Sequence, residues 1–191
     1  MDSPKDSAAP SKRTTGPRLV VAALGLGAAL FMGAPRAGAV VCQSPCVAQG
    51  DKVVLRLFWS PQREDNMTVA TADSRNAATA AGYQSVRDEA LVFRNYQPGL
   101  IPLRLFWHAG RGDHYTVAGL TGQQAVTGFY TFVRLEGWIH PSQQPGTVPL
   151  YLYWNAARED NFVTASSAGI ASAEAAGYVR AGIEGYVFPA P

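Results

Sequence analysis

The chain has 191 residues, with 16 Lys and Arg against 14 Asp and Glu and two cysteines. That length suits one domain with extensions. The basic excess sits at the front: without residues 1–39 the remainder holds one more acid than base. Such a body lacks the basic surface that binding to nucleic acid or to an anionic membrane requires.

Residues 1–39 read as a signal peptide. Lys5, Lys12, Arg13 and Arg18 precede an apolar run from Leu19 to Phe31, and Ala37-Gly38-Ala39 has the small-x-small form of a cleavage site. A membrane anchor is the alternative, but the run is shorter than the roughly 20 residues a bilayer needs, and Gly25, Gly27 and Gly33 weaken it as a helix. No membrane partner is expected after cleavage. Residues 40–52 form a connector holding Cys42 and Cys46. Outside the cytoplasm these two are expected to pair as a disulfide around Pro45; a metal site would need further ligands that the neighbourhood lacks.

Residues 53–191 are organised by a repeat. Leu55-Arg56-Leu57-Phe58-Trp59, Leu103-Arg104-Leu105-Phe106-Trp107 and Leu150-Tyr151-Leu152-Tyr153-Trp154 are each followed by an Arg-x-Asp turn: Arg63-Glu64-Asp65, Arg111-Gly112-Asp113 and Arg158-Glu159-Asp160. The tryptophans lie 48 and 47 residues apart, and the copies span about 53–94, 101–140 and 148–188. Each copy predicts a strand of period two, a polar turn, a second short strand (Met67 to Ala70, Tyr115 to Ala118, Phe162 to Ala165), then a short helix. Thr71 to Ala81 ends on Gly82 and Ser166 to Ala176 on Gly177, as helix caps require, whereas Gly119 to Phe129 is shorter and rich in glycine. A final strand holds Glu89, Glu136 or Glu184.

One such copy cannot bury its own apolar face, so three must share a core. The expected fold is mainly β with one short helix per repeat, closed with pseudo-three-fold symmetry and β-trefoil-like; a three-bladed radial arrangement of small sheets is the alternative.

Val148-Pro149-Leu150-Tyr151 through Trp154-Asn155, Asp113-His114-Tyr115-Thr116, Ala175-Ala176-Gly177-Tyr178 and Gly182-Ile183 resemble a secreted repeat family of unknown function. Its units read P-L-Y-R-L-Y-N, G-D-H-F-Y-T, A-x-E-R-D-x-x-x-x-x-G-Y and E-G-I-A-x-Y, and the likeness runs from about Val53 to Phe188. Members are sometimes attached to cell-wall or polysaccharide hydrolases, so the resemblance implies a lectin-like binding or adhesion role. The family's strand arginine falls on Leu57, Leu105 and Leu152, and its histidine survives only as His114, with Asn66 and Asn161 in the other copies.

Candidate ligand-binding residues are Arg63, Asp65, Asn66, Arg111, Asp113, His114, Arg158, Asp160 and Asn161, with Trp59, Trp107 and Trp154. A carboxylate accepts from paired sugar hydroxyls, a guanidinium donates, and an aromatic ring covers the apolar sugar face. The competing reading makes Asp a turn former paired with its Arg. The tryptophans, in phase with the strand leucines, are expected in the core with a ring edge at each pocket, and Tyr83, Tyr130 and Tyr178 likewise. Glu89, Glu136 and Glu184 are expected to pair with an arginine such as Arg87 or Arg134. His108, Asp113 and His114 flank one turn, read as a solvated loop in preference to a metal site. No catalytic motif and no cofactor site is present in the sequence.

The reading is a secreted, non-enzymatic module that binds a glycan or cell-wall polymer through the Arg-x-Asp turns, multivalently. A protein-interaction or inhibitor module using one asymmetric face is the second reading, and a hydrolase centred on His114 the third.

Overall fold

The computed structural model describes residues 51–119 and 127–191, all within one compact body, Ser44–Pro191. The leader, Cys42 and Cys46, and residues 120–126 of the glycine-rich segment lie outside the described residues.

Among the described residues, nine strands and two helices follow one another in three passes. The first is β1 (Lys52–Ser60), β2 (Asp65–Val69), α1 (Ala72–Ala80) and β3 (Gln84–Phe93); the second is β4 (Ile101–His108), β5 (Asp113–Ala118) and β6 (Thr131–Ile139); the third is β7 (Val148–Asn155), β8 (Asp160–Thr164), α2 (Ser167–Ala175) and β9 (Val179–Pro189). The first strand of each pass runs between the other two, antiparallel to both. The three motifs join as an open, antiparallel nine-stranded sheet through β3, which pairs with β6 at Phe93↔Trp138 and with β9 at Ala90↔Pro189 and Leu91↔Phe188.

The helices begin and end as their sequences dictate. Thr71 Oγ1 accepts from the Ser74 amide at 3.2 Å and Ser166 Oγ from the Gly169 amide at 2.9 Å. Gly82 and Gly177 follow with φ of 84° and 79°, the left-handed turn that releases the chain.

The strands depart from simple alternation. Each central strand carries two register shifts against its third strand, between Leu55/Arg56 and Leu57/Phe58 and at the equivalent steps of β4 and β7. Phe58, Phe106 and Tyr153, which period two sets opposite the leucines, are therefore buried as well. The tryptophans that should share the leucine face are half-buried instead.

Apolar burial crosses from motif to motif. Leu105 packs with Phe58, Met67, Val69, Ala78 and Tyr83 of the first motif, and Leu57 packs with Tyr153, Phe162, Ala173 and Tyr178 of the third. Leu152 joins the central cluster that holds Phe106, Tyr115, Val117 and Tyr130. Burying a leucine is worth about 1.5–3 kcal/mol, so each motif is stabilised by a side chain from the next.

Candidate functional site

The Arg-x-Asp turn is closed by the residue that ends each central strand. Asn155 Oδ1 accepts from the amides of Ala157 and Arg158 at 3.0 and 3.2 Å, and His108 Nδ1 accepts from the Arg111 amide at 3.0 Å. Ser60 holds the same place in the first motif, and its buried hydroxyl has no partner among the described residues. The middle residue of the turn is left-handed in all three: Glu64 at φ 54°, Gly112 at 72° and Glu159 at 52°. That conformation turns Arg and Asp in different directions.

The aspartates go inward. Asp65, Asp113 and Asp160 are each 1% exposed, and one carboxylate oxygen from each lies within 4.8 Å of the others. Each carboxylate takes a hydroxyl from its own motif, Tyr83, Tyr130 or Tyr178. Each also takes two donors from the following motif. Asp65 accepts from the His114 amide at 2.8 Å and pairs with His114 Nδ1 at 2.7 Å. Asp113 accepts from the amide and Nδ2 of Asn161 at 3.0 and 2.7 Å, and Asp160 from the same groups of Asn66 at the same distances. The relay thus passes from the first motif to the second, to the third and back to the first.

Burial above all, with the Asp65 charge nearby, pushes the Asp160 carboxyl up to about 9, and burial also pushes Asp113 up. Burial likewise raises the phenols of Tyr83, Tyr130 and Tyr178, which stay neutral donors. Three such carboxylates are a donor set for a hard cation, but every oxygen named here already accepts from the protein. His108, Asp113 and His114 do not converge: they serve the turn, Asn161 and Asp65 respectively.

The glutamates form a second relay of the opposite sense, each accepting from the preceding motif. Glu136 of the second motif accepts from the Ala70 and Thr71 amides at 2.8 and 2.9 Å and from the Ser74 hydroxyl, at the start of α1. Glu89 accepts from Ser166 Oγ and Thr164 Oγ1, both at 2.6 Å, at the start of α2. Glu184 accepts from the Ala118 amide at 2.8 Å. Arg87 pairs with Glu89 at 2.7 Å, whereas Arg134 pairs with Asp73. A carboxylate at a helix N-terminus meets unpaired amides and the positive end of the dipole, which explains their burial.

The arginines stay outward and line clefts between motifs. One, of about 240 Å³, is walled by Trp59, Asn66, Val86 and Arg87 from the first motif and by Arg158, Ala176 and Tyr178 from the third. Another, of about 300 Å³, has Trp107, His114 and Val133 from the second motif facing Arg63, Ala81 and Tyr83 from the first. These lining residues occupy equivalent positions. The Arg158 guanidinium lies 5.5 Å from the Trp59 ring centre, and that of Arg111 5.6 Å from Trp154.

Chemically, a cleft of this type offers an aromatic ring, a guanidinium, a phenol and an amide or imidazole whose far side is anchored by a buried carboxylate. Sequence reasoning found Arg, Trp and Asn or His, and set Asp beside them in the pocket, although it stands behind. It did not single out Val86, Val133, Ala81 and Ala176. Their one signal was a fixed distance from the recurring tyrosine.

A family model described as a domain of unknown function (DUF5648) matches residues 49–188. The chain belongs to this family. Comparison with the curated proteins and with the solved structures gives no match.

Proposed function

We propose that this protein is a secreted, non-enzymatic binding module for a glycan or cell-wall polymer, held in the clefts between its motifs. The observation that carries the reading is the pairing of an arginine from one motif with a tryptophan from the next, Arg158 over Trp59 and Arg111 over Trp154. A pyranose ring needs an apolar platform beside donors of fixed direction, and these clefts supply both. Asn66, His114 and Asn161 act in them as held acceptors: their donor groups are taken by the aspartate, and for the asparagines also the tyrosine, of the preceding copy, which leaves Oδ1 or Nε2. Two cyclic relays of carboxylates support a pseudo-three-fold arrangement of three repeats, in which equivalent clefts recur and weak sites add avidity. Three three-stranded motifs, joined only by short pairings at β3, favour the radial, three-bladed description over a β-trefoil. Secretion rests on the leader at 1–39, and a Cys42–Cys46 disulfide on that compartment.

The test is retention of the purified protein on a dense array of glycans and cell-wall polysaccharides. Trp59→Ala, Trp107→Ala and Trp154→Ala should lower retention stepwise as they are combined, with thermal unfolding reporting that the fold persists. Full retention by the folded triple variant removes the clefts from the function.

A protein partner is the second reading, and one observation favours it. Phe129 (86% exposed), Phe132 and Leu135 stand on the second motif where the first has Gly82, Ser85 and Asp88. One apolar strip on one motif suits a single asymmetric partner. A silent array together with wild-type folding selects this reading.

A further inference from the structure

The clefts are equivalent in position and unequal in charge. In two of them the turn arginine faces a glutamate from the middle of the next turn. Arg111 Nε lies 3.8 Å from Glu159 Oε1, and the Arg158 guanidinium feels the Glu64 carboxylate. At the junction of the first and second motifs the equivalent residue is Gly112. Among the described residues Arg63 makes no ion pair; it donates to the Ala81 carbonyl at 3.0 Å and lies 5.6 Å from the ring centre of its own Tyr83. Its remaining guanidinium donors are unassigned, and it does not cap Trp107 as Arg158 caps Trp59.

The second difference is His114 in place of Asn66 and Asn161. Its Nδ1 is held by Asp65 at 2.7 Å, and the ring lies against Trp107, tilted by 43° with centres 4.4 Å apart. Nε2 is the nitrogen left for the cleft, whose other polar side chains are Arg63 and Tyr83. No carboxylate lines this cleft. A Cβ at Gly112 would meet nothing nearer than Trp107 Cη2 at 3.9 Å, so the missing glutamate leaves open space beside the ring.

We propose that the cleft between the first and second motifs binds an acidic sugar, with the carboxylate of a uronic acid taken by Arg63, a sugar hydroxyl donating to His114 Nε2, and the sugar ring lying along Trp107. The proposal rests on the glycan reading above and adds a ligand class and a single location. A guanidinium with no carboxylate beside it is a carboxylate receptor; the equivalent guanidinium of Arg111 has Glu159 at 3.8 Å, and that of Arg158 has the Glu64 charge nearby, so each already has a competing carboxylate.

The experiment compares α-1,4-linked trigalacturonate with neutral α-1,4-linked galactotriose by titration calorimetry at low and moderate salt. Wild-type protein should bind the acid at least tenfold more tightly at low salt, with the margin shrinking as salt rises. Gly112→Glu supplies the missing carboxylate at a position where Glu64 and Glu159 already adopt the same backbone, so the fold should tolerate it. It should cut the acid affinity at least tenfold and leave the neutral affinity within twofold; Arg63→Gln should also cut the acid affinity at least tenfold. Glu159→Gly should create a second acid site, raising the stoichiometry from one to two. Equal wild-type affinity for the two sugars, or a preference that survives Gly112→Glu, overturns the proposal while leaving the glycan reading standing. Binding of neither sugar, with the array also silent, overturns both.

Discussion

Asp65 and His114, 49 residues apart in the chain, meet through two contacts: the His114 amide donates to one carboxylate oxygen at 2.8 Å and Nδ1 lies 2.7 Å from the other. The Tyr83 hydroxyl reaches the same carboxylate. Removing the acceptor strands all three donors in a buried place. Asp65→Ala should therefore destabilise the protein by about 2–4 kcal/mol. His114→Asn should change stability by less than about 1 kcal/mol, because Asn66 and Asn161 make the same pair of bonds to Asp160 and Asp113. Urea midpoints of the two variants test the contrast, and equal losses would show that the amide is not an equivalent donor.

Protonation of the carboxylate cluster sets a pH dependence opposite to that of ordinary salt-bridged acids. Burial raises the Asp160 carboxyl from 3.8 to about 9, so the folded chain holds a proton that the unfolded chain releases. The stability from this group is complete below about pH 4 and is lost as pH rises toward about 9. Asp113, raised mainly by burial, acts in the same direction. Tm should fall between pH 5 and pH 8, and Asp160→Asn should flatten that slope. A Tm that climbs across this range rules out the retained proton.

Glu136 serves α1 from another part of the chain. With its side chain gone, the Ala70 and Thr71 amides and the Ser74 hydroxyl lose their shared acceptor. Glu136→Ala should destabilise by about 2–4 kcal/mol. Hydrogen exchange should show α1 amides opening before those of β1 and β3. Uniform loss of protection would mean that the helix and the sheet unfold as one.

Two turns carry backbone strain that glycine relieves. Glu64 sits at φ 54°, a left-handed conformation that Gly112 adopts without a Cβ penalty. Glu64→Gly should raise stability by about 0.5–1 kcal/mol after glycine's entropic cost, visible as a higher Tm. A lower Tm would mean that the Glu64 carboxylate contributes more, through Arg158, than its backbone loses.

The strands, the turns and two helices could be read in advance because their signals are local. Thr71 and Ser166 cap α1 and α2, and Gly82 and Gly177 release them, with no help from elsewhere in the chain. Period two misled at Phe58, Phe106 and Tyr153, since paired register shifts in each central strand bury both faces. The same shifts leave the tryptophans half-buried at the cleft walls. The aspartates were misplaced in the pocket for a different reason: a turn sequence gives Arg and Asp two residues apart, and only the left-handed residue between them sends one outward and one inward.

The sequence by itself determined the period, the three strand-turn-strand passes and the residue types that recur in each, because neighbours in the chain fix alternation, caps and turns. Tertiary structure decided which motif each recurring side chain serves. Asp65, Glu136 and Leu105 each act on a motif other than the one that would be guessed from adjacency, or join two motifs, over separations of tens of residues. No local preference encodes such a choice; it follows from burying three incomplete apolar faces against one another, after which each carboxylate must find its donors across the junction.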